Sequence, residues 1–154
     1  MSSSLIPLVV LGVLLAATPS GAAQITWRRA PRVSVPVLGC DEAVPRASHK
    51  KSANGCGTEG FRLPASALPH PDFETCCNEH DLCYDTCLAD KARCDSDFEQ
   101  CMSHVCGTKV TKAAARESCA STANLFITMT RNLGCEPFLQ SQRSACTCDS
   151  ENEL

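Results

Sequence analysis

The apolar positions of this chain fall into three regimes. The first is an apolar run from Leu5 to Ala17, followed by small residues up to Ala23. It is shorter than the roughly 18 to 20 residues that cross a bilayer, and no later stretch comes close to that length. Residues 24–53 form the second regime, rich in Pro, Arg, Val and Ser with no sustained period, which predicts an extended, loop-rich arm. Beyond Phe73 the period becomes helical. Cys76, His80, Cys83 and Cys87 recur at i, i+4, i+7 and i+11, one stripe of an α-helix through Thr75 to Leu88. Cys77, Asp81 and Tyr84 form a second row, turned about 100° from the first. A neighbouring segment repeats the stripe with Cys94, Phe98, Cys101 and Val105, and Gly107 is expected to break it. A third helix starts at Thr108 or Thr111, carries Ala115, Cys119, Ala123, Phe126, Met129 and Leu133 on one face, and ends at Gly134. That face reads as core packing and not as a lipid-binding stripe. Beyond Cys135 a turn and a short element hold Cys146 and Cys148.

The first two helices, joined by a short turn at Ala89 to Arg93, should run antiparallel. Facing residues then have nearly constant index sums, and the pairs Cys76 with Cys101 and Cys83 with Cys94 have the same sum. Two disulfides in one register would staple the hairpin. The helix axes then lie close enough for Asp95 to face His80.

Composition changes the picture in two ways. The start of the chain reads as a signal peptide over residues 1–23, and all thirteen cysteines lie after it, a density of about 10% that signals a disulfide framework in an oxidising compartment. Thirteen is odd, so one thiol is free, capped or paired with another chain. Charge is also uneven, with seven Lys and Arg against three acids before Leu63 and seven against fourteen after it. No continuous basic face with interleaved aromatics appears, which excludes nucleic acid as the main partner and disfavours strong adsorption to anionic membranes. The basic run Arg46, His49, Lys50 and Lys51 reads as a solvated loop, and His49, His70 and His104 as histidines without a fitting partner.

Candidate chemistry starts at Asn54-Gly55-Cys56-Gly57-Thr58-Glu59-Gly60-Phe61. Three glycines around one cysteine permit positive φ and close approach of backbone to a ligand. Calcium takes six to eight oxygens, several of which backbone carbonyls of such a loop can supply; the alternative is a turn clamped by a disulfide. Pairing Cys56 with Cys77 would carry the loop to Asp81, one helical turn further along the same row. Asp72 or Thr75 is the expected cap of that helix.

The run Cys76-Cys77-Asn78-Glu79-His80-Asp81-Leu82-Cys83-Tyr84 resembles the active-site helix of secreted phospholipases A2, with its C-C-x-x-H-D-x-C pattern. The likeness extends to the Asn54–Gly60 loop and to Cys94-Asp95. With the Leu-Gly-Cys-Glu-Pro-Phe-Leu ending it is nearest to the group XII branch, and it covers residues 54–148. It implies a mainly α, disulfide-rich fold with two stapled antiparallel helices and a glycine calcium loop. The chain would then be organised as signal peptide 1–23, basic arm 24–53, phospholipase A2-like domain 54–148 and acidic tail 149–154. It also implies Ca2+-dependent hydrolysis of the sn-2 ester of glycerophospholipids at a phospholipid membrane surface. The calcium ligands implied are Asp81 and the carbonyls of Gly55, Gly57 and Glu59; the family has glycine at the Glu59 position, so Gly60 stands as an alternative third ligand. Tyr84 resembles the tyrosine that hydrogen-bonds the second aspartate, with core packing the alternative.

The chemistry can be argued beside the likeness. A water that attacks an ester needs a base titrating near neutral pH, and His80 supplies one; Asp95 is the acid placed to fix its tautomer. Two other classes compete. A zinc module at Cys76, Cys77, His80 and Cys83 conflicts with an oxidising compartment. A catalytically weak, disulfide-rich secreted binding protein on the same scaffold is the stronger rival. The last four residues, Glu151-Asn152-Glu153-Leu154, share only their last two positions with the K-D-E-L retrieval signal, which predicts secretion over retention in the endoplasmic reticulum.

Overall fold

The computed structural model describes Leu38, residues 42–58 and residues 60–149, all within one compact unit, Pro31–Leu154. The expected signal peptide, most of the basic arm including Cys40, Glu59, and the tail beyond Asp149 lie outside the described residues.

The fold is mainly helical. Strand β1 is Ala43–Pro45, β2 is Gly57–Thr58 and β3 is Phe61–Arg62; helices α1 (Asp72–Tyr84), α2 (Lys91–Thr108), α3 (Ala113–Leu133) and α4 (Cys135–Ala145) follow, and β4 is Cys146–Cys148. β2 and β3 form a small antiparallel hairpin. β1 pairs antiparallel with β4, with Val44 opposite Thr147.

α1 and α2 form the antiparallel hairpin, held by Cys76–Cys101 and Cys83–Cys94 with Cα separations of 5.7 and 5.8 Å. Cys56–Cys77 ties the glycine loop to α1, and Cys106–Cys119 ties the end of α2 to α3. Cys56–Cys77, Cys76–Cys101 and Cys106–Cys119 belong to the core itself, which packs Phe73, Phe98, Met102, Val105, Ala123 and Ile127 around sulfur. A chain with few aromatics fills its interior this way.

Four expectations about the helices are corrected. α1 begins without a side-chain cap from Asp72 or Thr75; instead the Asp72 amide donates to His70 Nδ1 at 3.2 Å. α1 ends at Tyr84, so Cys87 leaves the stripe and bonds Cys146. α2 passes through Gly107 to Thr108, because that glycine is exposed with nothing near it and the Cys106–Cys119 bond holds the last turn in place. A fourth helix, α4, stands where a turn is expected. Its Pro137 occupies the first turn, where the missing amide proton has no helical acceptor to lose.

α4 explains the early end of α1. Gln142, buried on α4, donates from Nε2 to the carbonyls of Tyr84 and Thr86, both at 2.8 Å, and accepts at Oε1 from the Leu88 amide at 2.8 Å. One amide thus satisfies three main-chain groups freed where α1 stops and Leu88 turns to φ 63°. Gln142→Ala strips all three and is expected to destabilise the fold by about 2 to 4 kcal/mol, read as a lower thermal midpoint with all disulfides intact. An unchanged midpoint would mean that water replaces the amide.

Arg46 also departs from the solvated loop expected of it. Its guanidinium donates to the carbonyls of Ser144 and Cys146 at 3.0 and 2.9 Å, and to that of Arg143, closing the C-terminus of α4. With the β1–β4 pairing, this fastens the arm to the end of the helical body.

Candidate active site

The two rows of α1 point to different neighbours. His80, on the row stapled to α2, places Nε2 3.0 Å from Asp95 Oδ1. Its ring lies against Tyr84 and Phe98, with centroids 4.1 and 4.7 Å away, so the imidazole is fixed on two sides. Asp95 is buried and takes two more donors: Tyr84 Oη at 2.6 Å on Oδ1, and Lys91 Nζ at 2.7 Å on Oδ2. Burial by itself would raise the Asp95 carboxyl, but the Lys91, Tyr84 and His80 donors outweigh it and hold its pKa below the usual carboxylate value. Burial and the adjoining carboxylate push the Tyr84 phenol far upward, so it stays protonated as a donor.

Lys91 was not singled out from the sequence. Its signal is an i, i+4 spacing to Asp95 in the first turn of α2, a pattern shared by many solvated pairs. Gly134 completes the surroundings. A Cβ there would come within 2.8 Å of Tyr84 Oη and 2.3 Å of the Thr130 carbonyl, so only glycine lets the α3–α4 corner approach the tyrosine.

Asn78, Asp81 and Asp85 grip the loop and the segment before it. Asn78 Oδ1 accepts from the Gly55 amide at 2.9 Å, Asp81 Oδ2 from the Asn54 amide at 3.0 Å, and Asp85 Oδ2 from the Ser52 amide at 2.9 Å. Asn78 and Asp81 lie on α1 and Asp85 is the residue that caps its C-terminus, so the segment before and into the glycine loop is laid antiparallel along the helix. Gly55 enters with φ 83°, a conformation costly for any residue with a Cβ. His49, expected to lack a partner, has one: Nε2 is buried 3.0 Å from Asp85 Oδ1, off the line a hydrogen bond needs, so the contact is electrostatic.

Two cavities flank Asp81. An apolar cleft of about 290 Å³ runs between α1, β3 and α3, walled by Phe61, Leu63, Leu125, Phe126, Met129 and Leu133 and reaching His80. This corrects the expectation that the α3 face is all core packing. Cys119, Ala123 and Ile127 are buried, but Leu125, Met129 and Leu133 are 58%, 50% and 67% exposed, because the end of α3 borders this opening. The second cavity, about 380 Å³, lies toward α4 and is polar.

The cysteine chemistry separates two metals. Cys76, Cys77 and Cys83 are all in disulfides, which removes the thiolates a zinc module there would need. Oxygen donors remain: the Asp81 carboxylate and the glycine-loop carbonyls, of which Gly57 lines the same cavities as Asp81. Burial first, and then the Asp85 carboxylate, raise Asp81 above its usual pKa, only partly offset by the Asn54 amide and His80. A hard cation would relieve that, so the donor set fits calcium. Gly60 is described, at φ 84° in the β2–β3 turn, whereas Glu59 is not. Cys135 is the free thiol among the described residues and is exposed.

Known proteins resemble this chain over most of its length. The family model described as Group XII secretory phospholipase A2 precursor matches residues 37–154. Group XIIA secretory phospholipase A2 of Mus musculus is 38% identical over 114 residues, covering 71% of this chain and 59% of that protein. The Homo sapiens protein of the same name is 37% identical over 113 residues with the same coverage. Group XIIB secretory phospholipase A2-like protein of Mus musculus is 37% identical over 118 residues, covering 71% of this chain and 60% of that protein. The chain thus spans about three fifths of the length of these relatives. No solved structure matches it significantly. The family model spans most of the chain and the relatives are more than a third identical, and on that ground the chain belongs to the group XII secretory phospholipase A2 family.

Proposed function

We propose that this protein is an exported, calcium-dependent phospholipase A2, its signal peptide residues 1–23 and its catalytic domain residues 54–148. It hydrolyses the sn-2 acyl ester of glycerophospholipids at a membrane surface to a fatty acid and a lysophospholipid. The observation that carries this reading is the His80–Asp95 couple set in the wall of an apolar cleft that also exposes Asp81. Among the described residues no helix is long and apolar enough to cross a membrane.

His80 Nε2 is committed to Asp95, so Nδ1 is the nitrogen free to take a proton from water. The hydroxide so formed adds to the ester carbonyl; collapse expels the glycerol oxygen, which recovers the proton from Nδ1. Asp95 holds the tautomer and steadies the imidazolium, while Tyr84 and Lys91 hold Asp95. Asp81 and the carbonyls of Gly55 and Gly57 hold the cation, with Glu59 or Gly60 as third carbonyl. When bound, calcium supplies Lewis-acid stabilisation of the charge that develops on the carbonyl oxygen. Apolar walls from β3 and α3 take the acyl chain and keep bulk water from the ester.

Phospholipid vesicles with and without calcium test the reading, with the released chain identified. Release of the sn-2 fatty acid that stops in excess chelator and resumes on adding calcium is expected. Release unaffected by chelator would remove the calcium role, and no release under any condition would favour a binding protein on this scaffold.

A further inference from the structure

The cleft beside His80 and the polar cavity toward α4 are not independent. Gly57, Thr58, Asp81, Tyr84 and Pro137 line both, so the two hollows meet at Asp81. One is walled mostly by apolar side chains, the other mostly by polar residues although it exposes apolar surface too, and their sizes lie close to the lower limit of ligand sites, about 300 Å³. Such a pair matches an amphiphile whose reacting bond lies between its chain and its head.

The polar cavity is lined by His49, Asp81, Asp85, Gln140, Ser141 and Ser144 among others, and, among the described residues, by no Lys or Arg. Arg46 reaches the same end of α4, but its guanidinium is spent on the main-chain carbonyls of residues 143, 144 and 146. Lys50 and Lys51 are exposed and outside the lining. A protonated His49 would be cancelled by Asp85 at 3.0 Å, and a neutral one leaves Asp85 as an uncompensated carboxylate. In neither state does the wall away from Asp81 carry net positive charge. It offers carboxylate and hydroxyl oxygens that accept from a cationic donor, and its carboxylates repel an anion.

Resting on the reading of the protein as a phospholipase, we propose that this cavity receives the substrate headgroup and selects one ending in an ammonium group, as in an ethanolamine phospholipid, over an anionic glycerol headgroup. Asp85, with Ser141 and Ser144, sets that preference. Asp85 serves two roles at once, holding the Ser52 amide and presenting its charge to the cavity.

The test uses vesicles holding equal parts of ethanolamine and glycerol phospholipids with identical acyl chains, so that both lipids meet the same bound enzyme. The two lysophospholipids are measured together by mass. Wild type is expected to favour the ethanolamine lipid roughly tenfold, the scale of one hydrogen bond to a charged group. Asp85→Asn, which still accepts from Ser52, and Ser144→Lys, at an exposed position, should bring the ratio toward one. Equal cleavage by wild type, or a preference unchanged in both variants, overturns the proposal while leaving the hydrolase reading standing. If wild type cleaves neither lipid, amide shifts read the cavity without turnover. Shifts at His49, Ser141 and Ser144 caused by phosphoethanolamine but not by glycerol phosphate uphold the cavity assignment and place the failure in the hydrolase reading. Shifts from both alike, or from neither, overturn it.

Discussion

His80→Gln is expected to lower kcat by about 10² to 10⁴-fold, the contribution of a positioned general base. The fold should survive. The glutamine amide can still donate toward Asp95, which in any case keeps Tyr84 and Lys91 as donors, so no buried carboxylate loses all its partners. What disappears is the second ring nitrogen, since an amide has no basic site at neutral pH. Vesicle hydrolysis rates together with a thermal melt check this. A variant that melts normally and turns over at the wild-type rate would remove His80 as the base.

The two aspartates should fail differently. Asp81→Asn removes the carboxylate charge from the proposed cation site, and calcium affinity should fall by at least about tenfold. Asp95→Asn leaves those ligands untouched, so calcium affinity should stay near wild type while kcat at saturating calcium falls, in the manner of a misoriented imidazole. Asp95 contacts more than the imidazole, however, and its loss also leaves the Lys91 ammonium without its carboxylate. Stability carries a matching signature. Because the folded-state pKa of Asp95 lies below its unfolded value, its ionised form stabilises the protein above about pH 4, and that contribution disappears as pH falls through the lower folded value. Asp95→Asn should flatten this part of the acid-unfolding curve. Calorimetric calcium titration paired with steady-state rates distinguishes the variants; equal loss of calcium in both would mean that Asp95 belongs to the cation site.

The hairpin and the pairing of His80 with Asp95 were legible because they rest on repeating periods. Cys76, His80 and Cys83 share a stripe with Cys94 and Cys101 across from it, and the equal index sums lead to the register that sets His80 opposite Asp95. What stayed hidden depends on contacts between segments far apart in the chain. Cys87 fits the stripe perfectly well by spacing, yet α1 stops short of it because Gln142, more than fifty residues later, takes the carbonyls at that end. His49 reads as part of a solvated loop, since nothing local reveals that Asp85 waits beside it, and the i, i+4 spacing of Lys91 to Asp95 is too common to single that pair out. The exposed end of α3 follows the same logic. A helical apolar stripe reads alike whether it meets a core or a cleft, and only what packs against it in three dimensions decides.

The spacing of the cross-links has a consequence for how the chain matures. Cys83–Cys94 and Cys106–Cys119 close spans of 11 and 13 residues, Cys56–Cys77 and Cys76–Cys101 spans of 21 and 25, and Cys87–Cys146 one of 59. Closure entropy grows with span, so among these five links oxidation favours the two short ones first and Cys87–Cys146 last. Cys76 and Cys77 are adjacent, and each is a competent thiol for the other's partner until the helix turns them onto different faces. Helix formation therefore has to precede their oxidation for the right sulfurs to meet, and the late Cys87–Cys146 bond seals α4 and its Gln142 over an already ordered pair.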